Sequence, residues 1–253
     1  MPLEILTIPC LGDNYAYAVQ DVSSGQVALI DAPEAAPIQQ ALSDKGWDIN
    51  QILLTHHHDD HIYGLEPLRK QAEVVGAKAD AHRLPKLTSS VADGDTFNVG
   101  SQPVNVYDVS GHTKGHVAFH FPDSNALFSG DSLMVMGCGR LFEGDPAMMW
   151  VTLSKLMELP PETRIYSGHE YTASNVKFAL SVDPENPALI ERARQISETR
   201  AKGGDTMGPT LATEMATNPF LRAHLSEMKA AIGMPDASDV DVFAEIRKRK
   251  DNF

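Results

Sequence analysis

The sequence predicts an α/β fold: a mixed domain over residues 1–173 and a helical segment over 174–253. Three observations carry that prediction. Short β-branched apolar runs are separated by helical stretches through the first part. Strand alternation gives way to helical periodicity after about residue 174. Histidines and aspartates gather where the predicted strands end.

The elements follow in order. "LEILTIP" (3–9), "YAYAV" (15–19) and "QVALID" (26–31) read as strands. "PEAAPIQQALSDKGW" (33–47) holds a helix, with Ile38, Ala41 and Leu42 on one face, Pro37 in the first turn and Gly46 at its end. Strands recur at "INQILLT" (49–55), "PVNVYDV" (103–109), "HVAFHF" (116–121) and "ALFSG" (126–130). In "DPAMMWVTLSKLMEL" (145–159) Asp145 is the expected N-cap and Pro146 the first helical residue. "TRIYSG" (163–168) is a further strand. Beyond it, "NPALIERARQISETRAKG", "NPFLRAHLSEMKAAIG" and "DVDVFAEIRKRKDNF" read as helices, punctuated by Gly203–Gly204, Gly233 and Pro235.

Bulk properties narrow the partners. A net charge of −13 disfavours a surface built for nucleic acid or acidic lipid, both polyanions. No run of about 18 apolar residues suggests a membrane span, and "MPLEILTIPCLGDNYAY" lacks the features of a signal peptide. Two cysteines, Cys10 and Cys138, cannot build a disulfide framework, so a cytoplasmic location is expected, with a monomer as the expected state.

"LLTHHHDDHIYG" (53–64) concentrates four histidines and two aspartates. In a loop leaving strand 49–55, His56 and His58 point one way and can hold one ion, while Asp60 and His61, after a bend, can reach a second. His57 and Asp59 fall between. A solvated polar loop is the competing reading, but three more ligand-capable residues follow strand ends: His112, Asp131 and His169, each behind a glycine (Gly111, Gly130, Gly168) that permits close backbone approach. Five histidines and two aspartates suffice for two ions sharing a carboxylate. Such donors suit Zn, Fe or Mn rather than Cu(I). Paired ions about 3.5–4 Å apart activate a bridging water, which is hydrolase chemistry. Asp31 is either a turn former or a carboxylate that orients a ligand histidine. Cys138 reads as a buried, inert thiol.

"THHHDDH", "GHTKGH", "SGDSL" and "GHEY", in that order, resemble the metallo-β-lactamase superfamily. "GDNYAY", "GCGRLFEG", "NPFLR" and the terminal "RKRKDNF" are similar to its glyoxalase II (hydroxyacylglutathione hydrolase) family, over essentially the whole chain. The resemblance implies an αββα sandwich with a C-terminal helical domain. It implies that His56, His58 and His112 hold one ion, that Asp60, His61 and His169 hold the other, and that Asp131 bridges them with a hydroxide. Zn is the expected metal, with Fe or Mn also accommodated; His57, Asp59 and His116 match non-ligand positions. The implied reaction is attack of that hydroxide on S-D-lactoylglutathione, giving glutathione and D-lactate, with Asp131, Asp60 and His61 as the catalytic residues.

Arg140, Arg247, Lys250 and Tyr171 match glutathione-contact positions, as does Phe142, where some relatives carry tyrosine and a hydroxyl contact is lost. Arg247 and Lys250 are three apart and share a helix face, although cations there also suit the helix dipole. Alternatives are a superfamily hydrolase acting on a lactone, β-lactam or phosphodiester, and a non-enzymatic metal-dependent binding or redox module. His61 does not fit the cysteine-containing metal set of many β-lactamases, and His58 stands where diiron redox relatives typically have glutamate.

Overall fold

The computed structural model describes residues 3–253, which divide into two compact units. One holds the chain up to Val109 together with Lys114–Gly130; the other holds Ser110–Thr113 and Asp131–Phe253.

In the first unit the chain forms β1 (Leu3–Cys10), β2 (Asn14–Asp21), β3 (Val27–Ile30), α1 (Ala35–Lys45), β4 (Gln51–Leu53), α2 (Asp59–Ile62), α3 (Leu65–Arg69), β5 (Glu73–Ala77) and β6 (Ser89–Val91). These strands make one sheet in the order β1-β2-β3-β4-β5-β6, antiparallel through β3 and parallel from β3 onward. A second sheet follows from β7 (Thr96–Val99), β8 (Gln102–Asp108), β9 (Val117–Phe121) and β10 (Ala126–Gly130), all antiparallel and ordered β10-β9-β8-β7 within this unit. The pleat sends alternate side chains to opposite faces. Ala16, Ala18, Val27 and Leu29 therefore pack with Ile38 and Leu42 of α1 and with Leu65 and Leu68 of α3. Tyr17, on the other face of β2, sets its ring 5.3 Å from Phe128 of β10. One sheet thus has helices on one side and the second sheet on the other. As anticipated, α1 stops at Gly46, whose φ of 67° is left-handed and whose N–H turns back to the carbonyls of Leu42 and Ser43.

The two sheets are tied by Asp21, fully buried at the end of β2. Its carboxylate accepts from Ser23 Oγ (2.7 Å), Ser24 Oγ (2.6 Å), and the N and Oγ of Ser101 (2.8 and 2.9 Å). Burial alone would raise this carboxyl; the hydroxyl and amide donors outweigh it and hold the group well below the ordinary carboxylate range. A depressed folded-state pKa gives stability that is present above the unfolded value of about 3.9 and is lost as pH falls through the folded one. Urea unfolding of Asp21→Asn is expected to show lower stability at pH 6 and a shallower decline towards pH 2. A decline as steep as in the parent chain would exclude this role.

The second unit begins with the short hairpin β11 (Leu133–Met134) and β12 (Gly137–Cys138). It continues with α4 (Pro146–Met157), β13 (Arg164–Ser167), α5 (Thr172–Val182), α6 (Pro187–Ala201), α7 (Leu211–Thr217), α8 (Ser226–Ala231) and α9 (Asp239–Asp251). Asp145 caps α4 by accepting from Met148 N at 2.8 Å. The helix expected across 218–233 contracts to α8, with turns before it. The reason is Asn218. Its oxygen accepts from Phe220 N, and its amide donates to the carbonyls of Met134 (3.3 Å) and Gly137 (3.0 Å), while Pro219 has no N–H to give. Met136, at the hairpin turn, has a left-handed φ of 61°, which costs a residue with a Cβ about 1–2 kcal/mol. Glu214 holds it there: this fully buried carboxylate accepts from Met136 N at 2.9 Å and from Asn218 Nδ2 at 3.0 Å, and pairs with buried Arg192. Among the described residues, no helix is long and apolar enough to cross a membrane.

Candidate metal centre

Within the first unit, the histidine-rich run leaves the sheet beyond the carboxyl end of the parallel strand β4, where open α/β sheets place their ligands. His56 and His58 lie on irregular backbone, and the chain then bends into the single turn of α2, which carries Asp60 and His61. The imidazoles converge: the His56 ring is 4.7 Å from that of His58 and 4.2 Å from that of His61. Asp60 Oδ2 lies 3.9 Å from His61 Nε2, and Asn14 Nδ2 donates to both the carbonyl and Oδ2 of Asp60 at 3.0 Å. His57 turns elsewhere, its Nδ1 2.9 Å from Asp80 Oδ2, in a group completed by Arg83. His116 stacks on His56 at 4.5 Å, and Asp59 faces solvent.

Asp31 sets the protonation pattern of this cluster. Its left-handed φ of 56°, tolerated by aspartate, turns the carboxylate under the histidine run. Oδ1 accepts from Thr55 N (2.8 Å); Oδ2 accepts from Thr55 Oγ1 (2.8 Å) and from His61 Nδ1 (2.8 Å). The Thr55 hydroxyl has thereby committed its hydrogen, so its oxygen accepts from His56 Nδ1 at 3.0 Å. One carboxylate therefore places the ring proton on Nδ1 of two histidines and the lone pair on Nε2 of both. Asp31, His56 and His61 offer ligand atoms within 4.8 Å of one another, but both Asp31 oxygens are taken by N–H and O–H donors, so it orients imidazoles. Gly130, at the end of β10, makes room for this arrangement. A Cβ there would fall 2.6 Å from His116 Cε1 and 2.8 Å from Thr55 Oγ1.

Within the second unit, His112, Asp131 and His169 are all buried and meet at one oxygen: Asp131 Oδ2 is 3.5 Å from His112 Nε2 and 3.2 Å from His169 Nε2. His112 Nδ1 is 2.8 Å from the Arg140 carbonyl, which can only accept, so the lone pair again falls on Nε2. The His169 ring stacks on Tyr171 at 4.6 Å. Gly139 closes against this group, since a Cβ there would lie 2.0 Å from the Asp131 carbonyl oxygen. Phe142, largely exposed, donates its N–H to the His112 carbonyl at 3.1 Å and meets the His112 ring edge-on. That backbone donor is committed, and the Phe142 ring remains largely exposed.

The cations are arranged beside this loop in the same unit. Arg247 is buried, lies over the Phe220 ring, and donates to the Cys138 carbonyl at 2.9 Å and to Asp251. Arg140 Nε lies 3.5 Å from the same Asp251 oxygen. Lys250 Nζ reaches Ser174 Oγ at 3.2 Å, and its pKa is lowered first by burial and then by the charge of Arg247. Cys138 is buried and its thiol is pushed up to about 11 by desolvation, which Arg247 partly opposes. Burial also raises Cys10 to about 11. Asn14, Asp80, Glu214 and Asp251 were not singled out in the sequence; none belongs to a metal-ligand pattern, and each declares itself only through a partner distant in the chain or on the next helical turn.

Imidazole nitrogens with oriented lone pairs, together with carboxylate oxygens, fit borderline-hard divalent cations. The metallo-beta-lactamase superfamily model matches residues 11–169, and a model described as hydroxyacylglutathione hydrolase C-terminus matches residues 170–253. A protein of Cereibacter sphaeroides named hydroxyacylglutathione hydrolase is 56% identical over 255 residues, covering 100% of both chains. This chain belongs to the hydroxyacylglutathione hydrolase family. Among solved structures, ETHE1 from Myxococcus xanthus shares the fold, with a TM-score of 0.65 and 23% identity over 98% of this chain and 90% of that one. TTHA1623, solved in a di-iron-bound form, has a TM-score of 0.63 and 27% identity over 86% of this chain and 100% of that one. As a hydroxyacylglutathione hydrolase family member the chain is an enzyme, a hydrolase with the metallo-β-lactamase fold and a C-terminal helical region, and its histidine and aspartate groups call for divalent metal ions.

Proposed function

We propose that the chain hydrolyses S-D-lactoylglutathione, and related S-acylglutathiones, to glutathione and D-lactate at a two-metal centre. The observation that carries this reading is Asp131, buried with two imidazole nitrogens at one oxygen, in a chain whose full-length relatives are named hydroxyacylglutathione hydrolase. His56, His58 and His112 would hold one ion and Asp60, His61 and His169 the other, with Asp131 between them. Zn is the expected metal, with Fe or Mn also suited to the donors. When bound, such a pair supplies an activated water as nucleophile and polarises the thioester carbonyl.

The chain's own residues do the rest. Asp31 keeps the ring protons of His56 and His61 on Nδ1, and the Arg140 carbonyl does so for His112. Asn14 steadies Asp60 through its amide. Residues 174–253 act as the substrate-binding part: Arg247 and Lys250, with Arg140, receive the glycine carboxylate of glutathione. Tyr171 and the Phe142 ring line the approach. The leaving thiolate needs little acid assistance, because its conjugate thiol has a pKa of about 8.5. The reading includes a monomer acting in the cytoplasm on a small molecule, without nucleic acid or membrane.

The test is turnover of S-D-lactoylglutathione by metal-reconstituted protein, followed as loss of thioester absorbance, with a lactone and a β-lactam run in parallel. A kcat/KM above about 10⁴ M⁻¹s⁻¹ for the thioester alone is expected. Absent thioester cleavage by metal-loaded protein refutes the substrate assignment.

A further inference from the structure

A carboxylate already sits where the proposed substrate's carboxylate would go. Asp251 Oδ1 accepts from Arg247 Nε at 3.1 Å and Nη2 at 2.8 Å, and lies 3.5 Å from Arg140 Nε. These are two of the three cations assigned above to glutathione. Helix stability does not explain the placement. Asp251 is the last residue of α9, where the helix dipole disfavours an acid, and an acid four residues after a base is the weaker order for such a pair. Nor is Asp251 needed to hold Arg247, whose guanidinium is also fixed by the Cys138 carbonyl and the Phe220 ring. The Asp251 side chain is about one third exposed, so it can swing to water when another anion arrives.

We propose that Asp251 is an internal carboxylate that competes with the glycine carboxylate of glutathione ligands for Arg247 and Arg140, resting on the substrate reading above. It is displaced on binding and returns as the product leaves. It therefore sets the affinity for glutathione and its thioesters, and it weakens retention of the product, which carries the same carboxylate. The chain's net charge of −13 makes such a local balance consequential, because an anionic ligand is held here by a few cations within an acidic molecule.

The experiment measures equilibrium binding of the non-hydrolysable S-methylglutathione, and of its glycine amide, to metal-reconstituted full-length protein by calorimetry. The parent chain is compared with Asp251→Asn and Asp251→Ala, with thermal unfolding as the folding check. Removing this charge relieves the end of α9, so both variants are expected to fold. S-methylglutathione is expected to bind both about three- to tenfold more tightly than the parent, the range of a partly exposed ion pair, while the amide changes less than about twofold. Unchanged or weaker binding of S-methylglutathione, or an equal gain for the amide, overturns the competition. The turnover assay reads separately: a chain that binds as expected but leaves lactoylglutathione intact upholds Asp251 as the competitor and removes the substrate assignment.

Discussion

Asp131→Ala is expected to lose turnover by about 10³-fold or more and to bind close to one divalent ion per chain, against the two expected of the parent under the proposed centre. The argument starts from geometry. Asp131 is buried, and His112 and His169 aim Nε2 at the same carboxylate oxygen from different strand ends. Alanine removes the buried anion on which His112 and His169 converge, so cations placed side by side there would repel with less screening in a low-dielectric site. Asp131→Asn separates charge from shape: it fills the same space, keeps one oxygen and removes the negative charge. Both variants are expected to fold, since Gly139 packs against the Asp131 backbone and not its carboxylate. Elemental analysis after reconstitution, read beside steady-state kinetics, checks the claim. A folded Asp131→Ala protein retaining two ions and near-parental turnover removes Asp131 from the centre.

Asp31→Asn is expected to weaken metal affinity by about 10- to 100-fold while leaving the backbone in place. Asparagine tolerates the left-handed conformation at this position, and its oxygen can still accept from Thr55 N. Its NH₂ group, however, would face His61 Nδ1, where the carboxylate had accepted. The ring must then accept at Nδ1 and carry its proton on Nε2, the nitrogen that the proposed centre would use as ligand. Asp31→Ala goes further and strands the donors of Thr55 and His61 in a buried place, at about 1–3 kcal/mol for a donor left unsatisfied. Metal dissociation constants, with nitrogen NMR of the imidazoles to report the tautomers, distinguish the two. An Asp31→Asn protein with parental affinity and His61 still protonated on Nδ1 contradicts the relay.

Much of the fold was legible where one short stretch contains all its own instructions. "ALFSG" is β10 to the residue, and Asp145 and Gly46 cap the helices they were read to cap. "EVVGA", the strand β5, was missed because it is short and interrupted by Gly76. "TASNVKFALSV", the helix α5, was missed because Thr172, Ser174 and Asn175 favour caps and turns, yet here they lie inside the first turns. The segment 218–233 misled because periodicity cannot reveal that Asn218 is spoken for by a hairpin about eighty residues earlier. The same limit governs the site. Ligand types at strand ends identify a metal cluster, since their chemistry is visible in the residue names. Asp31 stayed ambiguous between turn and orienting carboxylate, because the answer lies in Thr55 and His61, 24 and 30 positions away. Glu214 and Asp251 looked like ordinary helical acids.

The sealed thiols have a bearing on oxidative damage. With Cys10 and Cys138 both pushed up to about 11 by burial, each stays overwhelmingly a thiol at neutral pH. Thiolates, not thiols, attack disulfides. If glutathione is the product, as proposed above, this burial is expected to leave both sulfhydryls slow to exchange with its oxidised dimer.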